Sequence, residues 1–97
     1  MMKDYDVIII GGGIGGLACA GILVSEGIKV LVLEKNPAAG GYLTSFKRKG
    51  FTFDSAVDCF SGGDNDGAIT YLLKKLGVED DVNLIKVDPV RESIFPG

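Results

Sequence analysis

The residues best suited to chemistry in this sequence are glycines that follow a short apolar run near the amino terminus. Residues 11–16 read Gly-Gly-Gly-Ile-Gly-Gly and satisfy the pattern G-x-G-x-x-G at Gly11, Gly13 and Gly16. In a dinucleotide-binding turn the first glycine permits a tight bend and the second lets the backbone approach a pyrophosphate. The third lets the following helix pack closely on the strand. All three are therefore candidate cofactor-binding residues.

A carboxylate follows these glycines at the distance where an adenosine ribose would lie. Glu34 comes 18 positions after Gly16, at the end of a second apolar run, where an acid can accept hydrogen bonds from ribose hydroxyls. Its charge would repel a ribose 2′-phosphate, so the sequence disfavours NADP. Ile14 and Gly15, at the start of the helix, and Lys35, beside the acid, complete this group of candidates. The alternative is a glycine-rich turn followed by an acid placed there by chance.

Three regular elements are needed to position these groups, and their patterns occur in the required order. Residues 7–10 are apolar and β-branched, which predicts a parallel strand buried on both faces. A helix is expected from Ile14 to Ser25, with its N–H groups and positive dipole end directed at the phosphates, and with Gly27 as its stop. Residues 29–33 predict a second buried strand. The sequence therefore predicts a parallel βαβ unit over residues 1–35.

The uncharged run of 18 residues from Val7 to Val24 also suggests a membrane span or an export signal. Six of these residues are glycines, five of them clustered at positions 11, 12, 13, 15 and 16, where they would break a transmembrane helix. The preceding residues also lack the positive charge of an export signal. We therefore expect no transmembrane segment and a cytoplasmic location, with peripheral membrane association as the alternative.

Composition and charge restrict the remaining function classes. The chain has 97 residues, which suits one small domain, and its net charge of −3 gives no electrostatic reason to expect nucleic acid as a partner. Without histidine it cannot form a histidine-dependent triad, and Cys19 and Cys59 are too few for a disulfide framework or metal site. We expect Cys19 to be a buried small side chain, and Asp54 and Asp58 to be turn or cap groups. No catalytic residue is identified.

A second glycine-rich segment follows the acid and carries a resemblance to a known family. Residues 38–46 read Ala-Ala-Gly-Gly-Tyr-Leu-Thr-Ser-Phe, and the chain resembles the FAD-binding amino terminus of phytoene desaturase-like flavoproteins. That family includes carotenoid isomerases and retinol saturases, with amine oxidases more distant. Its Gly-Gly doublet, usually Gly-Gly-Arg-x-x-Ser/Thr, lies along the FAD pyrophosphate and ribityl chain. Gly40 and Gly41 match the doublet and Ser45 the hydroxyl position, whereas Tyr42 stands where arginine is common and removes one expected phosphate partner.

The resemblance continues through a predicted β-hairpin. Residues 44–46 and 51–53 flank Lys47-Arg48-Lys49-Gly50, which predicts a basic, solvated tip. Gly50-Phe51-x-Phe53-Asp54 is similar to the family's G-[FY]-x-F-D segment, although Ala56 stands where the family has glycine. We interpret the basic triplet as a soluble turn. The functional alternative is attraction to phosphate or to an acidic membrane surface.

The last third of the chain predicts a helix and strands. Asp66 is a candidate N-cap, and Gly77 is a helix stop. Between them, apolar residues at helical spacing predict an amphipathic helix, namely Ile69, Leu72, Leu73 and Leu76. Acidic residues 79–81 predict a solvated turn. Strands are expected at residues 82–87 and, as an edge strand, 91–95.

Together these patterns predict an α/β fold, a partial Rossmann-type parallel βαβ unit similar to the glutathione reductase-like FAD domain, with a β-hairpin and a second helix. We expect a single incomplete FAD-binding domain over residues 1–97. Residues 1–35 would form the dinucleotide fingerprint, and residues 36–60 the Gly-Gly loop and hairpin. Residues 61–97 would lead toward an absent substrate domain. With only two helices, some apolar surface of the strands should be exposed or covered by another copy.

The resemblance implies FAD as cofactor and a hydrophobic small-molecule substrate in the full-length family. The implied chemistry is desaturation, isomerisation or saturation of carotenoid or isoprenoid molecules. On this interpretation the chain is a fragment that is inactive alone, and it requires self-association, a missing carboxy-terminal portion or a partner chain. The alternative is a stand-alone NAD- or FAD-binding module without turnover.

Overall fold

A computed structural model of the chain describes residues 4–57 and 59–97, so the carboxylate expected at Asp58 lies outside the described residues. The fold contains a parallel two-stranded sheet, an antiparallel hairpin and two α-helices. In chain order the elements are β1 (Val7–Ile10), α1 (Ile14–Ser25), β2 (Val30–Leu33), β3 (Ser45–Arg48), β4 (Phe51–Asp54) and α2 (Ala68–Leu76), followed by a 3₁₀ turn at Glu79–Asp81. This α/β arrangement confirms the predicted fold class.

The β1–α1–β2 unit confirms the predicted parallel βαβ arrangement. β1 and β2 pair in parallel, from Val7 opposite Val30 to Ile10 opposite Leu33. Gly27 ends α1 with a positive φ of 80°. Its N–H donates to the Val24 carbonyl oxygen at 2.9 Å, while the next N–H, that of residue 28, donates to the oxygen of residue 23 at 3.1 Å. This pair of bonds is the Schellman arrangement that a glycine after a helix favours.

One face of the parallel sheet is uncovered, so the expectation of two buried faces is wrong. Val7 and Ile9 are half-buried on the side of α1, whereas Ile8 is 59% and Ile10 87% exposed on the other side. The physical reason is that no described element packs against that second face. The separate expectation of exposed apolar strand surface is confirmed.

Helix α1 buries little of its apolar surface. Ala20 is the one buried apolar side chain among the described residues, at 9% exposure, while Cys19 is exposed. The prediction that Cys19 is buried is therefore wrong. Because α1 is apolar all round, periodicity alone does not determine which side faces the sheet.

The predicted hairpin is confirmed, but its turn contains fewer residues than the sequence predicts. β3 and β4 pair antiparallel, from Ser45 opposite Asp54 to Arg48 opposite Phe51. The two connecting residues, Lys49 and Gly50, both have positive φ, 51° and 82°, as a type I′ turn requires. Lys47 and Arg48 therefore belong to β3, and only Lys49 and Gly50 form the connecting turn.

Helix α2 has the predicted amphipathic pattern and stop, but a different start. Its four predicted core-facing residues are half-buried, and Gly77 ends it with φ 70°. Its N-cap is Gly67, without a side-chain hydrogen bond, so the predicted cap at Asp66 is wrong. The Gly62 carbonyl oxygen instead accepts the N–H groups of Ile69 and Thr70, at 3.0 and 3.3 Å. A backbone carbonyl oxygen thus accepts the hydrogen bonds from these N–H groups, in place of a capping side chain.

The carboxy-terminal segment contains no strand among its described residues. Residues 82–87 and 91–95 have no ladder partner, so both strand predictions are wrong. A strand is defined by hydrogen bonding to a neighbouring strand, and these residues pair with neither of the two sheets. The acidic 3₁₀ turn before them is exposed, as expected of a solvated turn.

The described chain is expanded for its length. Its radius of gyration is 17.6 Å, compared with about 13 Å for a compact domain of 100 residues. Many large apolar side chains are exposed, including those on the open face of β1. No helix in residues 4–57 and 59–97 is both long and apolar enough to cross a bilayer.

Candidate functional site

The turn between β1 and α1 depends on two glycines for its close packing. Gly11 has φ 105°, a conformation that side chains disfavour, and its N–H donates to the Leu33 carbonyl oxygen at 2.8 Å. A Cβ added to Gly16 would overlap the Gly11 carbonyl oxygen and lie 3.4 Å from Cγ2 of Ile9. Gly16 therefore allows α1 to lie against the end of β1, as the fingerprint predicts.

Gly13 leaves the start of α1 open. It is the N-cap residue, with extended backbone and no side-chain hydrogen bond. A Cβ added there would meet no non-neighbouring atom of the described chain within 4 Å. The candidate residues Ile14 and Gly15 form the first turn of the helix and are exposed. This end of α1 therefore offers uncapped N–H groups and space for an anion.

Glu34 links the end of β2 to the glycine turn. One carboxylate oxygen, Oε2, accepts the Gly12 N–H at 2.7 Å, and the other, Oε1, accepts the Asn36 N–H at 2.9 Å. These two bonds, that from Asn36 first, lower the pKa of Glu34 below its ordinary value of 4.5. The side chain is therefore an anion at neutral pH, fixed beside the turn.

The Gly-Gly doublet packs directly on the fingerprint turn. The Gly40 N–H donates to the Gly12 carbonyl oxygen at 2.7 Å, and Gly40 forms a parallel bridge with Gly13. Gly40 and Gly41 have φ of 125° and 58°. A Cβ on Gly41 would lie 3.1 Å from the Gly13 Cα. Two glycine-rich segments that are distant in sequence thus form one surface, built largely from backbone.

A cleft of about 450 Å³ opens beside this surface, within the usual size range of a small-molecule site. It is lined by Ile10, Gly11, Leu33, Glu34, Lys35, Asn36, Gly41 and Tyr42. Five of the predicted site residues are therefore in its wall. Tyr42 is also in the wall of a second, larger cleft of about 1540 Å³, between α2, the hairpin base and the carboxy-terminal segment.

Ser45 is not brought to either cleft. It is exposed at the start of β3, opposite Asp54. The neighbouring Thr44 lines the larger cleft, and its hydroxyl donates to the Gly41 carbonyl oxygen at 3.0 Å. The hydroxyl nearest the doublet is therefore that of Thr44. The sequence contains two adjacent hydroxyl residues, Thr44 and Ser45, and the spacing of the family pattern favours Ser45.

Sequence reasoning also missed the backbone partners of the acid, Gly12 and Asn36. Gly12 occupies a variable position of G-x-G-x-x-G, yet it is buried, and a Cβ there would lie 3.0 Å from Glu34 Oε2. Its identity as glycine was an available signal. Asn36 contributes only its N–H, which no side-chain pattern indicates.

Comparison with known proteins agrees with this geometry. Residues 9–76 match the family described as the NAD(P)-binding Rossmann-like domain. A prolycopene isomerase (chloroplastic) from Daucus carota is 45% identical over 83 residues, which cover 82% of this chain and 14% of that protein. A human all-trans-retinol 13,14-reductase is 44% identical over 67 residues, which cover 69% of this chain and 11% of that protein. A Danio rerio all-trans-retinol 13,14-reductase is 49% identical over 55 residues, which cover 57% of this chain and 9% of that protein.

The matched region includes the glycine turn, the acid, the Gly-Gly doublet, the hairpin and α2. The chain spans about one-seventh or less of the length of these relatives. It resembles the dinucleotide-binding part of carotenoid isomerase and retinol reductase. The chain therefore belongs to the NAD(P)-binding Rossmann-like domain family and is a relative of the phytoene desaturase-like flavoproteins.

Proposed function

We propose that this chain binds FAD by its ADP end and serves as the dinucleotide-binding part of an FAD-dependent oxidoreductase. The observation that carries this proposal is the packing of Gly40 and Gly41 on the fingerprint turn beside Glu34. A fingerprint alone suits several dinucleotides. The doublet adds a second backbone surface that extends beyond the pyrophosphate position, as a long flavin dinucleotide requires.

The residues present fit such a ligand. The uncapped start of α1 at Gly13, Ile14 and Gly15 offers N–H groups to the pyrophosphate, and the open space above Gly13 admits a phosphate close to the backbone. The Glu34 carboxylate has acceptor capacity left for ribose hydroxyls, and Lys35 lines the same cleft.

Beyond the pyrophosphate, the remaining site residues would guide the rest of the cofactor. Gly11 and Gly16 hold the turn against the strand. Gly41 and Tyr42 line the smaller cleft, Tyr42 also lines the larger one, and Gly40 is bridged to the start of α1. Ser45 would need another rotamer or backbone position to reach the cofactor, since it lies outside both clefts. When bound, FAD supplies the hydride and electron chemistry.

The rest of the assignment concerns a larger assembly. We propose a division into residues 1–35 as fingerprint, 36–60 as Gly-Gly loop and hairpin, and 61–97 as the lead toward a substrate domain. The names of the relatives, an isomerase of prolycopene and a reductase of retinol, support a hydrophobic isoprenoid-like substrate. The exposed face of β1 supports cover by further polypeptide or a second copy. We propose a cytoplasmic protein that associates peripherally with membranes.

A second candidate function is a nucleotide-binding module without turnover, which takes NAD or FAD. The observation that favours it is the expanded chain, whose described residues bury little apolar surface around the nucleotide cleft. Both candidates share the same ADP contacts, so they differ in what lies beyond the pyrophosphate.

Titration of the purified chain with FAD, followed by quenching of flavin fluorescence, tests the proposal. We expect saturable binding that AMP and ADP displace, with NAD a weaker competitor. Displacement by NAD at the same concentration as FAD would favour the module without turnover. Absence of binding to FAD, NAD and AMP would contradict both candidates.

A further inference from the structure

The charges of this chain are strongly segregated. Residues 35–53 contain four cations and no acid, whereas the rest of the chain holds six cations and all thirteen acids. Three of the four cations are consecutive, Lys47, Arg48 and Lys49, at the end of the hairpin. An acidic protein thus has one local basic surface, and the fold projects it from a two-stranded ribbon.

The same hairpin end is aromatic. By the strand register, Phe46, Arg48, Phe51 and Phe53 share one face of the ribbon, with Arg48 directly opposite Phe51. Phe46 and Phe53 stack with ring centroids 5.5 Å apart. Phe51, next to the turn, is 69% exposed. None of residues 45–53 lines either cleft, so this surface is not part of the dinucleotide site.

We propose that the hairpin tip, defined as residues 47–51, docks on the headgroup region of an anionic lipid bilayer. The three cations would neutralise lipid headgroups, and Phe51 would enter the interface between headgroups and acyl chains. This inference rests on the peripheral membrane association proposed above and is independent of FAD binding. It assigns that association to one structural element.

Charge and shape favour a bilayer over a nucleic acid. The basic patch spans only the width of a two-stranded ribbon, and the surrounding net charge of the chain is negative, so an extended polyanion would be repelled on either side. The flat surface of a bilayer would contact only the hairpin tip and not the acidic remainder of the chain. Basic side chains combined with exposed aromatic side chains are also typical of interfacial membrane contacts.

Vesicle co-sedimentation with matched variants tests this assignment. The parent chain should bind vesicles of phosphatidylcholine with phosphatidylserine far more strongly than phosphatidylcholine alone, and added salt should weaken binding. Each basic side chain near an anionic surface contributes about fivefold in affinity, so Lys47→Gln/Lys49→Gln should lower it about 25-fold. The control, Lys74→Gln/Lys75→Gln at the end of α2, removes the same charge from exposed positions and should change binding little.

The aromatic contribution has its own control. Phe51→Ala should lower vesicle affinity about tenfold through lost apolar contact. Tyr71→Ala, which removes a ring of nearly equal exposure (68%) on α2, should have little effect. FAD titration of the same samples separates this test from that of the cofactor proposal, since hairpin variants should keep the parent's FAD affinity.

Three results would overturn the inference. One is equal binding of the parent to neutral and anionic vesicles. Another is an equal loss of affinity in the hairpin and α2 lysine pairs, which would indicate net charge alone. The third is hairpin-dependent binding of a single-stranded oligonucleotide without binding of anionic vesicles, which would identify nucleic acid as the partner. Loss of FAD binding in every sample would contradict the proposed function but not the membrane contact.

Discussion

Two alanine substitutions in the glycine turn should separate binding from stability. At Gly13, φ is −76° and an added Cβ meets open space, so alanine should be accommodated without strain. Alanine is a less favourable N-cap than glycine, which destabilises the fold by about 0.5–1 kcal/mol. Alanine also restricts the unfolded chain, which stabilises the fold by about 0.4–1 kcal/mol. The two effects nearly cancel. The free energy of unfolding should therefore change by less than about 1 kcal/mol.

The same methyl group should abolish dinucleotide binding. It would occupy the space through which a pyrophosphate approaches the start of α1. If two hydrogen bonds to the charged phosphates are lost, each worth about 1.5–3 kcal/mol, FAD affinity should fall by about 10²- to 10⁴-fold. Fluorescence titration with FAD measures this loss directly.

Gly16→Ala is the matched comparison, one turn further along α1. Its Cβ would overlap the Gly11 carbonyl oxygen, a backbone atom that cannot move without shifting the helix. Overpacking of this kind costs about 1–3 kcal/mol, which lowers the Tm of a chain this small by at least about 4 °C. The reasoning is refuted if Gly13→Ala binds FAD like the parent, or if it destabilises the fold as much as Gly16→Ala.

Four further predictions follow from particular groups. Glu34→Gln should weaken AMP and FAD binding by about 10- to 150-fold in calorimetric titrations, because ribose hydroxyls lose a charged acceptor; unchanged affinity would place the ribose elsewhere. The folded-state pKa of Glu34 lies below its ordinary value of 4.5. The ionised carboxylate therefore stabilises the fold above that pH, and this stabilisation is lost as the pH falls through the lowered pKa. Glu34→Gln should make the Tm less sensitive to acid, and a pH profile of Tm identical to the parent's would contradict this. Lys49→Asn should raise the free energy of unfolding by about 0.5–1 kcal/mol, because asparagine tolerates the positive φ of 51°; a lower Tm would oppose it. The open face around Ile8 and Ile10 should bind a hydrophobic dye or drive self-association, whereas a monomer in light scattering without dye binding would argue against an accessible apolar face.

The elements nearest the site were the most predictable, because their signals are local. The apolar run of β1, the glycine turn and the Gly27 stop lie next to the structures they specify, and the observed bounds of β1 and α1 match the predicted ones. The hairpin was predictable for the same reason, since Lys49-Gly50 forms a two-residue turn between matched strands.

The features that escaped prediction depend on contacts between distant segments. The Gly62 carbonyl, not the side chain of Asp66, receives the first N–H groups of α2. Residues 82–87 are rich in apolar side chains, as in a strand, but pair with neither sheet. In the site, the bond of Gly12 to Glu34 spans 22 positions. These outcomes follow from tertiary geometry, which propensity and periodicity do not encode.

Glycine-selective ¹⁵N labelling with addition of FAD tests the central claim most directly. We expect the amide resonances of Gly12, Gly13, Gly40 and Gly41 to shift on titration, because these residues form the surface beside the cleft. Resonances of Gly50 at the hairpin tip and of Gly77 after α2 should stay unchanged. Shifts confined to glycines outside the turn and the doublet, or no shifts at all, would contradict the account.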